Sequence, residues 1–398
     1  MRNSDDTPLR VALVLDRFEP RRGGLESWTF QLAAWLSRAG HQVHAVCFSA
    51  SAEGEPFGIT AHRLPAVIGR EARAAAMASF LARLPVDLIH DTGVSWHYDV
   101  LQPQGGSRIG DWRQNQRSRR PFERAMQLCH PAGIRRRREF RRLEARQYHA
   151  AAGTVVAVSR GVRQDLMAFE KVPPQRIRVI YNGIDTARFV RDDAAGAVVR
   201  RELALQPGPL FVLVAHNFRL KGVTTALRAM ALLRPAAPNA QLLIIGRDPD
   251  VARRRLATAL GVADRVRFLG HVDDVRPYLS AADACIHPAF YDPCSLATLE
   301  ALSMGLPVVT TRRNGVSELM TDGGEGFVIA EPDDAEALAR HMGTLDPTRC
   351  ADMRPAARRL ACAYDLEQNF GAILALYREI LAARRRGSAA PRLAAGGH

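Results

Sequence analysis

Short, nearly continuous apolar runs alternate along this chain with longer segments whose apolar positions recur every three or four residues. The runs fall at residues 10–15, 42–48, 86–90 and 154–158 in the first half, and at 210–215, 240–246, 265–269, 284–287 and 306–310 in the second. Runs that do not alternate with polar residues predict strands buried on both faces, as in parallel sheets. Residues 25–39 place Trp28, Leu32, Trp35 and Leu36 on one stripe, and residues 223–233 form a second amphipathic stretch. Both predict helices. Strands alternating with helices define an α/β architecture in which helices cover the sheets on both faces. The rhythm occurs twice, which predicts two halves facing across a cleft. A polar stretch at 185–208, with Asp192, Asp193, Gly196, Pro207 and Gly208, suits a hinge between them. Ligands of such sheets bind beyond the carboxyl ends of the strands.

Composition narrows the class. A length of 398 residues suits two domains, and 47% hydrophobic content is enough for two cores. No apolar run approaches the roughly 18–20 residues needed to span a bilayer. The opening MRNSDDTPLR leads into a first strand and not a signal peptide, and six cysteines lack any CxxC pair. Neither zinc nor a disulfide framework is suggested, and a reducing cytoplasm is the expected compartment. Charge is less ordinary, at +14 with a pI near 10.3. Residues 107–146 carry thirteen Arg against four acids, interleaved with Trp112, Phe122, Met126, Leu128, Ile134 and Phe140. Such a segment fits an anionic membrane surface, a nucleic acid, or a solvated Arg-rich helix.

Candidate chemistry concentrates between residues 283 and 318, where Asp292 and Glu300 stand eight positions apart between two predicted strands. Asp292 is suited to cap the intervening helix, with Pro293 in its first turn and Gly305 and Pro307 closing it. Eight positions of helix separate the two carboxylates by about 12 Å. That spacing allows one acid to bind a sugar and the other a ribose, with a diphosphate at the amides of Cys294, Ser295, Leu296 and Ala297. An ordinary βαβ unit with a capping Asp292 and a solvated Glu300 is the plainer alternative. Beyond the strand at 210–215, HNFRLKGV supplies Arg219 and Lys221, two cations able to neutralise a diphosphate without a metal. Beyond the first strand, DRFEPRRGGLE lacks GxGxxG, and no acid closes the second strand, which disfavours a nicotinamide cofactor. The pair Gly23 and Gly24 still lets backbone approach a phosphate or sugar, while Glu26 is either a ligand or an acid complementing the helix dipole. His97 is more readily structural than substrate-binding.

Taken in order, GGLE (23–26), VVAVSRGVRQDL (155–166), VIYNGIDTARF (179–189), FRLKG (218–222), FLGHVDDV (268–275) and the acid pair resemble the retaining glycosyltransferases of family 4. These have the GT-B fold of two Rossmann-like domains. The likeness runs from about residue 10 to 370, and HPAFYDPCSLATLEAL is similar to the lipopolysaccharide-core glucosyltransferases that act on heptose. The resemblance implies an acceptor domain at 1–190, a donor domain at 191–364, a helix at 365–386 returning to the first domain, and a flexible tail at 387–398. It implies that Glu300 binds ribose, Arg219 and Lys221 the diphosphate, and Asp292 a hexose hydroxyl. Asp292, Arg219 and Lys221 would carry the catalysis. The amides of Ser295, Leu296 and Ala297 would add donors, Gly270 and His271 would read the nucleobase, and Gly24 would close on the phosphates. The expected reaction moves a hexose, glucose from UDP-glucose, onto a lipid-linked saccharide with retention. No metal and no cofactor are expected, and the setting is the inner face of the cytoplasmic membrane, reached through the basic segment. Two departures stand out: the first acid of the family's glutamate pair is Asp292 here, and Gln104 precedes Gly105 and Gly106 where many relatives carry His. A nucleotide-sugar epimerase of similar fold, or a transferase for another surface glycan, is the alternative. A nucleic-acid partner is not expected, since no motif beyond charge supports one.

Overall fold

The computed structural model describes residues 7–20, 23–51, 57–150 and 153–386. The predicted tail at 387–398, the opening six residues, and Arg21 and Arg22 of the first glycine loop lie outside the described residues.

Two parallel sheets form the frame. The first orders its strands Thr60–Arg63, Gln42–Cys47, Arg10–Val14, Leu88–Asp91, Val100–Leu101, Thr154–Ala157 and Ile177–Val179. The second orders Val266–Gly270, Gln241–Ile245, Leu210–Val214, Ala284–His287, Val308–Thr311 and Gly326–Ile329. Every paired neighbour in both is parallel. This is the pair of α/β halves that the apolar runs predict, in the GT-B arrangement that the resemblance implies. Strand order reverses between Arg10–Val14 and Leu88–Asp91 in one sheet, and between Leu210–Val214 and Ala284–His287 in the other. Chain leaving adjacent strands in opposite directions opens a crevice at each reversal.

The helix Leu366–Arg385 packs on the first sheet although the chain reaches it from the second. Phe370, Ile373, Leu374 and Tyr377 share a buried cluster with Trp28, Leu32 and Leu36. Trp28 Nε1 donates to Asn369 Oδ1 at 3.0 Å, and Tyr377 Oη lies 2.5 Å from His90 Nδ1.

The polar stretch at 185–208 is not an open hinge. Asp192 caps a helix, Asp193–Glu202, accepting from the Ala195 amide, and that helix packs against Arg276–Ala281. Hinge-like composition was in part capping chemistry. Chain passes between the domains instead beside residues 183–185, where Ile184 pairs with Asp365. The basic segment folds as three helices, Arg108–Arg117, Pro121–Cys129 and Pro131–Glu144. Among the described residues, no helix is long and apolar enough to cross a membrane.

Candidate active site

Both loops at the second sheet's reversal carry charge, and they meet. Lys221, beyond Leu210–Val214, places Nζ 2.7 Å from Asp292 Oδ2 and 3.1 Å from the Tyr291 carbonyl. His287, the last residue of its strand, places Nε2 2.8 Å from the same Asp292 oxygen. Burial alone raises the Asp292 carboxyl, yet Lys221 and His287 outweigh it and hold the group well below the usual carboxylate range. Asp292 is therefore an anion clasped by its own domain. His287 was missed in the sequence; its place at a strand end in the same loop was the available signal.

This geometry corrects the reading of Asp292 as a helix cap. The helix is Leu296–Ser303 and its cap is Ser295, whose hydroxyl accepts from the Thr298 amide. Asp292 lies outside it, so the two acids are not separated by eight helical residues. Buried Asn314 makes the earlier start impossible. Its Oδ1 accepts from the amides of Ser295 and Val316, its Nδ2 donates to Thr298 and Thr310, and the Asp292 backbone bridges to Arg313 and Gly315. Residues 292–294 form a bent loop pinned to residues 313–315, and Leu296 and Ala297 open the helix with their amides.

Glu300 lies on the cleft side of this helix. Burial pushes its carboxyl up to about 7, with Arg188 pulling the other way. It lines a cavity of about 940 Å³ between the domains, together with Gly24, Leu296, His216, Arg247 and His271. Glu26 and His97 do not line it. Gly24 comes so close that a methyl group there would lie 2.9 Å from Leu296 Cδ1. Gly270 ends its strand in a left-handed conformation, with φ 71, and directs the chain to His271, whose Nε2 lies 2.6 Å from Arg247 Nη2.

Arg219, Lys221, Asp292, Ser295, Ala297 and Gly270 are outside the lining of that cavity. Lys221 and Asp292 meet in a second cluster, and Arg219, on the same loop as Lys221, is covered by the other domain. Arg219 Nη2 donates to Asn115 Oδ1 at 3.2 Å, and the Ser107 amide donates to Tyr291 Oη at 3.0 Å. Gly106, beside the expected Gln104, has φ 69, and a side chain there would meet Tyr291 Oη at 2.5 Å. Gln104 Nε2 is buried without a hydrogen-bond partner. Burial pushes the Arg219 guanidinium down, and Arg119 and Arg253 push it the same way, the signature of crowded cations. Such a cluster suits a polyanion. The site thus has an open end at Glu300 and His271 and a closed, cationic end at Lys221 and Asp292.

A family model described as glycosyl transferases group 1 matches residues 208–345, and one described as glycosyltransferase family 4 matches residues 22–188. The chain is 30% identical over 261 residues to the lipopolysaccharide glucosyltransferase WaaG of Escherichia coli, covering 61% of this chain and 70% of that protein. It is 34% identical over 167 residues to the lipopolysaccharide core biosynthesis glycosyltransferase LpsE of Rhizobium meliloti, covering 42% of this chain and 46% of that one. A D-inositol 3-phosphate glycosyltransferase of Acidothermus cellulolyticus is 32% identical over 249 residues, covering 59% and 55%. The chain spans about half the length of these last two relatives. In fold it is similar to the crystal structure of WaaG, with a TM-score of 0.75 at 22% identity over 92% of this chain and 99% of that one. Two facing parallel sheets with this site between them define a GT-B glycosyltransferase. The chain belongs to glycosyltransferase family 4 and is related to the lipopolysaccharide-core glucosyltransferases.

Proposed function

We propose that this protein transfers a hexose, glucose from UDP-glucose, to a lipid-linked saccharide of the lipopolysaccharide-core type, with retention of anomeric configuration and without a metal. The observation that carries the reading is Asp292 clasped by Lys221 and His287 at one end of the cleft, with Arg219 on the same loop as Lys221, and Glu300 at the other end. Glu300 accepts hydrogen bonds from ribose hydroxyls, and His271 with Gly270 borders the nucleobase. Lys221 and Arg219 take the diphosphate, joined by the amides of Leu296 and Ala297 at the helix N-terminus and of Ser295 before it. Gly24 packs over the same phosphates. Asp292 accepts from a hexose hydroxyl once Lys221 turns to the diphosphate. Negative charge grows on the diphosphate as the glycosidic bond to it breaks, and cations fixed in advance lower the barrier to that step. The departing diphosphate takes the proton of the acceptor hydroxyl on the same face, which retains configuration. The E. coli relative's name supports glucose and lipopolysaccharide. The inositol-phosphate relative makes a soluble phosphorylated acceptor an outcome to be tested.

The membrane reading rests on the helix Pro121–Cys129, which leaves Phe122 75%, Met126 59% and Leu128 43% exposed among arginines. Exposed apolar side chains flanked by cations suit an anionic leaflet, here the inner face of the cytoplasmic membrane.

The test is release of nucleoside diphosphate from UDP-, GDP- and ADP-sugars, with and without glycolipid extract or inositol phosphate, with chelator, and with Glu300→Ala. Glycolipid-dependent release from UDP-glucose that survives chelator and is lost in the variant supports the reading. Acceptor-independent conversion of the sugar would point to an epimerase. Vesicle binding insensitive to salt would remove the electrostatic dock.

A further inference from the structure

One face of the helix Arg108–Arg117 runs along the donor domain. Ser107, Asp111 and Asn115 are four residues apart in turn and so stand above one another on that face. Both ends of the stripe touch the second domain, Ser107 at Tyr291 and Asn115 at Arg219. Asp111 lies one turn from each, directly between two points of contact. Its carboxyl is half-buried, and the cations facing it are Lys221 from across the cleft and Arg136 from its own basic segment. Among the described residues the carboxylate forms neither a hydrogen bond nor an ion pair with any group. Burial accordingly pushes it up, against the pull of those two cations.

A half-buried carboxylate that its own protein gives no donor is left to water, which a sugar hydroxyl can displace without breaking any protein contact. The neighbouring acid does not share this condition, since Asp292 is already clasped by Lys221 and His287. This carboxylate is on the first domain and faces Lys221 of the donor cluster across the cleft, the side from which the transfer reading brings the second sugar. A sugar hydroxyl is a neutral donor of the right size.

We propose that Asp111 binds the acceptor: it accepts hydrogen bonds from non-reacting hydroxyls of the acceptor sugar and thereby aims the attacking hydroxyl at the anomeric carbon. The attacking hydroxyl keeps its own proton for the departing diphosphate. This inference rests on the glycosyl-transfer reading above.

Wild-type protein, Asp111→Ala and Asp111→Asn are compared for UDP affinity by calorimetry, for acceptor KM and kcat in the glycolipid assay, and for thermal melting. The expected result is UDP affinity within about twofold of wild type, with acceptor KM raised about tenfold or more in Asp111→Ala and by less in Asp111→Asn, which keeps one accepting oxygen. An unchanged acceptor KM in a folded Asp111→Ala overturns the inference alone. So does loss of UDP affinity by the same factor as the KM change, for that marks a residue that holds the domains together. Wild-type protein that turns over no nucleotide-sugar with any acceptor overturns the transfer reading, and this inference with it.

Discussion

At the scale of single residues, Glu300 carries the sharpest prediction. Its carboxyl is raised to about 7 in the folded protein by burial, above the ordinary carboxylate value. The folded state therefore holds this proton more tightly than the unfolded chain, so the associated stability is full in acid and is lost as pH rises towards 7. Glu300→Gln removes that loss, and its melting temperature at pH 8 is expected to exceed wild type by about 2–4 °C. Ribose binding runs the other way. The ionised carboxylate is the better acceptor, so UDP affinity is expected to rise between pH 6 and 8 in wild type and to stay flat and weak in Glu300→Gln, as calorimetry would read. The place of Glu300 on a helix after a buried strand was legible, and that helix brings it to the cleft. The clasp on Asp292 was not. Lys221 is 71 residues away in the chain, and nothing local in either segment names the other as its partner.

Among elements, the helix Leu296–Ser303 shows what local sequence chemistry can and cannot specify. Asp292 followed by Pro293 is a sound start signal, and so is Ser295. Asn314 decides between them from beyond the next strand, by holding Ser295, Thr298, Thr310 and Val316 at once. Asn314→Ala leaves several buried groups unpaired and is expected to cost roughly 2–3 kcal/mol in urea unfolding, with a matching fall in UDP affinity. Ser295→Ala, which loses one cap bond, costs about 1 kcal/mol. The same lesson applies at 185–208, where Asp192, part of a polar hinge signal, turned out to cap a packed helix. Strands were the most legible elements. An apolar run buried on both faces needs no distant partner to reveal it.

For the whole molecule, the pairing of two α/β halves was readable and their closure was not, because closure rests on contacts between segments far apart in sequence. The chief of these is Glu318 of the second domain. Its carboxylate accepts from the amides of Arg160 and Gly161 at 2.8 and 2.7 Å, at the start of a first-domain helix, and from the Tyr181 hydroxyl at 2.7 Å. A carboxylate at a helix N-terminus makes charge-assisted bonds, stronger than neutral ones. Glu318→Ala is expected to open the cleft, seen as a larger radius of gyration in solution scattering, and to raise the donor KM about tenfold while each sheet keeps its own fold.

The side-by-side passage of chain between the domains limits how that opening happens. The Ile184 carbonyl accepts from the Leu366 amide at 3.1 Å, and the Ile184 amide donates to the Tyr364 carbonyl at 3.1 Å. The outgoing and returning segments are stitched together by this one bridge like the two leaves of a door at one pin. Such a joint resists sliding and twisting and leaves one easy rotation. A donor released at the end of a cycle would thus leave by the same swing that admitted it, with Glu318, bonded to Arg160, Gly161 and Tyr181 of the other domain, acting as the catch.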